Sequence, residues 1–291
     1  MAARVAVVTG GASGIGRALA AALVARGDVV TVADLDQQGA LRTAEQLRAH
    51  GRGWADGTSL DVRDATAVAE LICSVKDKHG RLDLVFNNAG IGIGGAVEEL
   101  ALDHWNQAID INLRGVVHGA HAAYPIMIEQ GFGTIVNTAS LAGLVPTAFK
   151  APYAATKHAV VGLSLALRAE GASRGVRVCV ACPGYVDTPM LDNVNPGLPQ
   201  TAAGTQAREA ALRVQHRLYT ADRLACDVLR GVDRNRAIIV APAFARRAWS
   251  AARLSPSLVQ RINASRAARI QTEILIRDQR AEEAPRTAAP S

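Results

Sequence analysis

Cysteine is scarce: four residues, Cys73, Cys179, Cys182 and Cys226, in a chain of 291. That is too few for a disulfide scaffold and suits a reducing compartment, so a cytoplasmic location is expected. Cys179 and Cys182 form a C-x-x-C, but "RVCVACPG" reads as a buried strand, where residues three apart face opposite sides. No second ligand pair exists to complete a metal site, so two core cysteines and no metal are expected. No apolar run reaches the ~18–20 residues that span a bilayer. The opening "MAARVAVVTGG" has no long apolar region ending in a cleavage site, and it reads as a first strand rather than a leader. Aromatic side chains make up 4% of the chain. The Arg-rich end holds too few of them to interleave with its charges as a nucleic-acid-binding surface does, and no nucleic-acid partner is expected.

What is present is apolar substance in short runs. Hydrophobic residues are 49% of the chain, ample for a large core. "VAVVTG" (5–10), "VVTVAD" (29–34), "LDLVFNNAG" (82–90), "GTIVNTAS" (133–140), "VRVCVACPG" (176–184) and "RAIIVAP" (236–242) lack polar alternation and read as strands buried on both faces. Helical patterns fall between them, at 15–26, 38–50, 64–79, 103–130, 152–173 and 220–233. The alternation predicts a doubly wound, Rossmann-like parallel α/β sheet forming one domain over 1–242, with ligands outside the carboxyl ends of the strands. Residues 189–219 open with prolines and glycines and no clear period, as a substrate loop or lid would.

The formal charge of +6 is uneven. Residues 241–280 hold eight arginines against Glu273 and Asp278, which accounts for all of it. Residues 243–280 are expected to form a basic, helical extension and 281–291 a disordered tail. With Phe244, Trp249, Leu254, Leu258 and Ile262 among its arginines, the extension has the composition of a segment lying on an anionic membrane. Packing over the substrate loop or at a subunit contact is the preferred reading.

Three features carry chemistry. After the first strand, "VVTGGASGIGRALA" spaces Gly10, Gly14 and Gly16 as G-x-x-x-G-x-G; glycines there allow tight turns and close approach to a pyrophosphate held at a helix N-terminus. The second strand ends at Asp34, where a carboxylate can accept hydrogen bonds from both adenosine ribose hydroxyls and would repel a 2′-phosphate. Ser13 and Leu35 stand where a phosphate-binding cation would be expected, so NAD is favoured over NADP; a turn or capping role for Asp34 is the alternative. In "YAATK" Tyr153 and Lys157 are four apart, on one helix face. A nearby cation lowers a phenol's pKa, which suits Tyr153 to proton transfer.

The motifs Thr9-Gly10-x-x-x-Gly14-Ile15-Gly16, Asp61-Val62, Asn87-Asn88-Ala89-Gly90, Asn112, Ser140, Tyr153-x-x-x-Lys157 and Pro183-Gly184-x-x-x-Thr188-x-Met190 occur in an order and spacing that resembles the short-chain dehydrogenase/reductase family in its shorter, single-domain form. The resemblance is strong over residues 4–190 and looser to 242. It implies that Tyr153 is the general acid/base, that Lys157 tunes it and bonds the nicotinamide ribose, that Ser140 holds the substrate oxygen, and that Asn112 anchors a water linking Lys157 to solvent. It also implies cofactor contacts from Gly10, Ser13, Gly14, Ile15 and Gly16, from Asp34, Asp61 and Val62, from Asn88, Ala89 and Gly90, from Tyr153 and Lys157, and from Pro183, Gly184, Val186 and Thr188. Plainer roles stand beside these: Ser140 as a cap, Asn112 as a backbone partner, Asp61 as a helix N-cap, Val62 as core, Asn88 as a stitch between strands.

The resemblance fails at the end. Many members finish in a strand followed by Asp-Gly-Gly that packs in a tetramer, whereas "RAIIVAPAFARRAW" has no such ending and 49 residues follow position 242. A dimer through 103–130 and 152–173 is expected instead. The stretches expected to line the substrate pocket, "IGIGGAV" (91–97) and "LAGLVPTAF" (141–149), carry no Arg or Lys. They imply a neutral, hydrophobic alcohol or carbonyl substrate for an NAD-dependent oxidoreductase. The competing reading is a regulator that binds NAD without chemistry.

Overall fold

A computed structural model describes residues 3–283, with side chains through residue 272. Seven parallel strands form one sheet: β1 (Val5–Thr9), β2 (Val29–Asp34), β3 (Trp54–Ser59), β4 (Leu84–Asn87), β5 (Gly133–Thr138), β6 (Val176–Pro183) and, last in the chain, Ile238–Ala241. A short pair, β7 (Val186–Asp187) and β8 (Tyr219–Thr220), lies apart, so the closing strand is β9. The sheet order is β3-β2-β1-β4-β5-β6-β9. It reverses direction of growth between β1 and β4, which opens a crevice at their carboxyl ends.

The helices are α1 (Gly14–Ala25), α2 (Gln37–His50), α3 (Ala65–His79), α4 (Leu102–Ile109), α5 (Gly115–Gln130), α6 (Ala151–Gly171), α7 (Ala202–Thr205), α8 (Ala207–Gln215), α9 (Ala221–Asp233), α10 (Ala243–Leu254) and α11 (Pro256–Glu283). Strand β1 shows why they cover both faces. Its alternate residues Ala6 and Val8 join Leu19 and Leu23 of α1 and Leu224 and Val228 of α9 in one core. Val5 and Val7 join Val68 and Ile72 of α3 and Ala120 and Ala123 of α5 in another. Each fully buried leucine contributes about 2–3 kcal/mol. Cys179 lies in the first core, while Cys182 belongs to a third with Val240 of β9. The two thiols therefore face opposite sides of β6, and both are free.

Two features differ from the sequence reading. β3 is absent from the strands read above: "WADGTS" is an edge strand, half exposed and paired only with β2, with Asp and Gly that suit strands poorly. The stretch 103–130 is not one helix, because a π-turn over Asp110–Arg114 joins α4 to α5. Residues 189–219, read as a substrate loop or lid, hold the two short helices α7 and α8. Buried Asn195 ties this segment down, its Nδ2 donating to Gly94 O (2.8 Å) and its Oδ1 accepting from Gly94 N (3.0 Å). Arg208 adds bonds to Asp187 (2.7 Å), Asp192 (2.7 Å) and Thr188 O (3.2 Å).

Beyond β9, α10 packs Ala245 and Trp249 onto the third core beside Leu141 and Leu144, whereas Leu254, Leu258 and Ile262 remain exposed. The apolar residues of the extension thus divide between a packed turn and a free face. α11 continues past position 280 to Glu283; the expected disorder of 284–291 lies outside the described residues. Among the described residues, no helix is long and apolar enough to cross a membrane.

Candidate active site

The glycine loop joins β1 to α1. Gly10 has φ +65° and Gly14 φ +51°, conformations that other residues adopt at a cost. A Cβ on Gly16 would lie 2.0 Å from Gly10 O, so only glycine lets the loop fold this tightly onto the helix. The first turn of α1 holds no acidic residue, and Ser13 at its N-cap makes no capping bond with its side chain. Its N–H groups are available to an anion, with the helix dipole behind them. Ile15 packs against the first core.

At the far side of the loop Asp34 accepts from Ala12 N (2.9 Å) and Asp36 N (3.0 Å). The N-cap of α2 is Asp36, so Asp34 closes the turn and faces a cleft of about 270 Å³ lined also by Ser13, Arg17, Gly39 and Arg42. The immediate neighbours of Asp34 carry no cation, and the two arginines of the cleft come from α1 and α2. Arg42 leans on Asp36 at 3.6 Å.

Several residues expected along the adenosine side serve the scaffold first. Asn88 Nδ2 donates to Thr9 O (3.0 Å), its backbone N–H donates to Thr9 Oγ1 (3.0 Å) and its Oδ1 accepts from Thr138 Oγ1 (3.3 Å), stitching β1, β4 and β5. Ala89 N also donates to Thr9 Oγ1 (3.1 Å). Asp61 is not the N-cap of α3; Asp64 is. The Asp61 carboxylate is instead held by Arg63 at 2.6 Å, whose hydrogen bonding keeps it below the usual carboxylate range. Val62 is buried in the second core, and its carbonyl is bonded to His118 (2.9 Å). On the other wall a Cβ on Gly14 would lie 3.1 Å from the Thr188 side chain, so the glycine loop and the segment after β6 close on each other. Gly184 N donates to Ala241 O (2.8 Å), which fixes Pro183–Gly184 beside β9, and Val186 is buried.

The chemistry-bearing residues meet at the carboxyl ends of β5 and β6. Pro152 in its first turn and the small residues that follow start α6, which suits a helix N-terminus. Tyr153, next in the chain, and Lys157, one turn further on, share a face, Nζ lying 5.6 Å from the centre of the phenol ring. Lys157 is buried, donates to Thr138 O (2.9 Å) and has no carboxylate partner among the described residues. Burial lowers it to about 8, against a smaller upward pull from Cys182. Burial also raises the Tyr153 phenol, and Ser140 draws it partly back by hydrogen bonding. The lowering of Tyr153 expected from Lys157 does not arise here, because the amine faces the ring and the Thr138 carbonyl. Ser140 accepts from Ala142 N (3.1 Å), so it caps the turn Leu141–Gly143 and stands beside Tyr153 as well.

Asn112 sits in the π-turn, fully buried. Its Oδ1 accepts from Ile91 N (2.8 Å) and its Nδ2 donates to Ile91 O (3.0 Å), so the amide pins the loop after β4. π-turns inside helices often mark functional sites. A Cβ on Gly90 would lie 2.9 Å from Asn112 Oδ1 and 3.5 Å from Lys157 Nζ; the three residues therefore converge. Tyr153, like Ile91 and Leu198, packs against the buried cluster of Ile93, Leu100 and Ala108, so its immediate surroundings are apolar.

Tyr185 and Lys150 were not singled out in the sequence. Tyr185 follows the Pro183–Gly184 turn and is close enough to act electrostatically on Tyr153. The Lys150 ammonium lies 5.0 Å over its ring. The signal was in "FKAPY", which puts a cation one helical turn before the tyrosine.

A larger cavity, about 910 Å³, lies at the amino ends of the strands and holds none of these residues. Of the arginines that line it, Arg4 is paired with Asp28 (2.7 Å) and Arg168 donates to the carbonyl of Val178 (2.8 Å).

A family model described as short chain dehydrogenase matches residues 4–199. The chain belongs to that family of oxidoreductases. A 2,5-dichloro-2,5-cyclohexadiene-1,4-diol dehydrogenase of Sphingobium indicum is 39% identical over 196 residues, 67% of this chain and 78% of the relative. A cyclohexanol dehydrogenase of an Acinetobacter species is 37% identical over 191 residues, 65% of this chain and 75% of the relative. Among solved structures, a short chain dehydrogenase/reductase from Burkholderia phymatum in complex with NAD superposes with a TM-score of 0.80 at 30% identity, over 88% of this chain and 95% of that one.

Proposed function

We propose that this chain is an NAD-dependent oxidoreductase that interconverts an apolar secondary alcohol and its carbonyl counterpart. The observation that carries the reading is the convergence of Tyr153, Lys157 and Ser140 beside the apolar cluster of Ile93, Leu100 and Ala108. The cofactor's place fits the residues present: a loop tightened by Gly10 and Gly16, an α1 N-terminus free of acid, and Asp34 facing the cleft beyond it. The Asp34 carboxylate supports NAD over NADP by repulsion of a 2′-phosphate, while Arg42 is engaged with Asp36. The bound nicotinamide supplies the hydride donor or acceptor. The rest falls to the protein. Ser140 Oγ holds the substrate oxygen, and Tyr153 Oη takes the alcohol proton in oxidation or gives it in reduction. Lys157, titrating near 8, passes the proton on beside Asn112.

The relatives named for ring alcohols support this substrate class. A regulator that binds NAD without chemistry would have no use for this proton-handling set. The test is turnover of cyclic and aliphatic secondary alcohols with NAD and with NADP. Activity with NAD on at least one alcohol is expected; inactivity across the panel with both cofactors sinks the reading, and equal rates with both sink the choice of NAD.

The four free thiols accord with a cytoplasmic location, which fractionation of the source cells tests. Exposed Val117 on α5 and Leu165 on α6 support pairing of two copies through those helices, and a single-chain mass by sedimentation equilibrium would overturn it.

A further inference from the structure

Beyond β9 the chain presents a surface of one charge. Between positions 243 and 272 it carries six arginines and no Asp or Glu. Arg247, Arg253, Arg261, Arg266 and Arg269 are exposed, and none of them is paired with a carboxylate among the described residues. Arg253 rests on the ring of Trp249 at 5.3 Å, which keeps its N–H groups free for an acceptor. α10 is held to the domain by Ala245 and Trp249 in the third core. A Cβ on Gly184 would lie 3.4 Å from Ala245, so the extension starts beside the Pro183–Gly184 turn. On α11, Val259, Asn263 and Ala267 recur at every fourth position and are half-buried; they form its inward face. Leu258 and Ile262, one turn apart and off that face, are 48% and 42% exposed, and Leu254 at the end of α10 is 87% exposed. Arg266 and Arg269, four and seven residues after Ile262, continue the same stripe.

We propose that α10 and α11 form a docking surface for an anionic lipid bilayer, with Leu254, Leu258 and Ile262 entering the headgroup layer and the arginines reaching lipid phosphates and acidic headgroups. Apolar side chains set among basic ones suit such an interface, because burial of the first and attraction of the second add. Charge and composition decide against other occupants. A two-fold contact between copies would set this patch against itself, arginine against arginine with no acid between them. A nucleic acid would need aromatic faces on which its bases stack, and the two aromatic residues of this stretch, Phe244 and Trp249, are half-buried. The inference goes beyond the oxidoreductase reading and does not depend on it. The two agree, since an alcohol with an apolar body concentrates in a bilayer and the docked extension holds the site close to it.

The test is co-sedimentation of the full chain with vesicles of phosphatidylcholine alone and of phosphatidylcholine mixed with phosphatidylglycerol. Binding to the mixed vesicles only is expected at about 0.1 M salt, and its loss at about 1 M, where the Debye length falls from about 10 Å to about 3 Å. Each basic residue near an anionic surface raises binding about fivefold. Arg261→Gln, Arg266→Gln and Arg269→Gln combined should therefore lower the partition coefficient about a hundredfold. Leu258→Ser and Ile262→Ser combined should lower it about tenfold. All five side chains are exposed, so both variants should unfold at the wild-type temperature; the lipid and salt comparison needs neither of them. Partitioning that is equal on both vesicles, absent from both or unmoved by salt overturns the proposal, and so does wild-type partitioning of the arginine variant. A dimer lost in that variant with vesicle binding unchanged gives the face to a second copy. Retention on duplex DNA but not on vesicles gives it to a nucleic acid.

Discussion

Tyr153→Phe is expected to lower kcat by about a thousandfold and to leave the affinity for NAD within about twofold. The first figure follows from what a positioned acid/base contributes, about 10²–10⁴. The phenol stands alone in that role. Ser140 can orient an oxygen but is too weak an acid to replace it, and Lys157 is turned toward the Thr138 carbonyl at 2.9 Å. The second figure follows from position: the proposed cofactor-holding groups are the glycine loop, Asp34 and the segment after β6, none of which the hydroxyl supports. Stability should hold as well, because the ring keeps its packing against Ile93, Leu100 and Ala108 and the loss of a desolvated hydroxyl offsets that of its bond with Ser140. Stopped-flow turnover, NAD titration and thermal unfolding check the three statements. A variant that retains a tenth of wild-type kcat would remove Tyr153 from the proposed mechanism.

The separation between what was legible in the sequence and what was not has physical causes. The central strands were legible because both their faces are buried, which leaves continuous apolar runs such as Val5–Thr9. β3 was not, since an edge strand is satisfied on one side only and can carry Asp56 and Gly57. Glycines named a loop because backbone crowding is absolute: a Cβ at Gly16 meets an oxygen at 2.0 Å whatever surrounds it. The partners of polar side chains were less legible. Asn88 and Asp61 occur in motifs, but whether an amide faces a ligand or a strand depends on the register of three strands at once, and Asp61 was claimed by an arginine two residues away. Lys150 escaped because the stretch read for charge ended at residue 149. Its aim depends on Tyr185, 35 positions later in the chain, and only the packing of β6 beside α6 joins the two. The ties of the 189–219 segment are hard to read for a related reason. Prolines and glycines predict breaks in regular structure, not the absence of anchors, and Asn195 supplies one across 101 residues of sequence.

Replacement of Lys157 by methionine should separate catalysis from stability. Loss of the amine removes the group that passes the proton on beside Asn112, and kcat should fall by a factor on the order of 10²–10³. The cofactor-free fold should respond with a pH signature that no neutral residue could give. The wild-type lysine titrates near 8 in the fold against an ordinary 10.5. Between those values the unfolded chain binds more protons than the native one, so wild-type stability rises with pH there. Below pH 8 the native state bears the full cost of a desolvated, unpaired ammonium, about 3 kcal/mol. Above 10.5 that cost is gone. Lys157→Met bears none of it at any pH, but leaves the Thr138 carbonyl without its donor, a loss of about 1 kcal/mol that does not vary with pH. Near neutrality the inactive variant should therefore be at least as stable as the wild type. From pH 7 to pH 10 the difference should move in the wild type's favour by about 2–3 kcal/mol. Urea unfolding of both proteins across that range measures it, and a difference that stays flat would mean that the amine is already neutral or already paired in the resting protein.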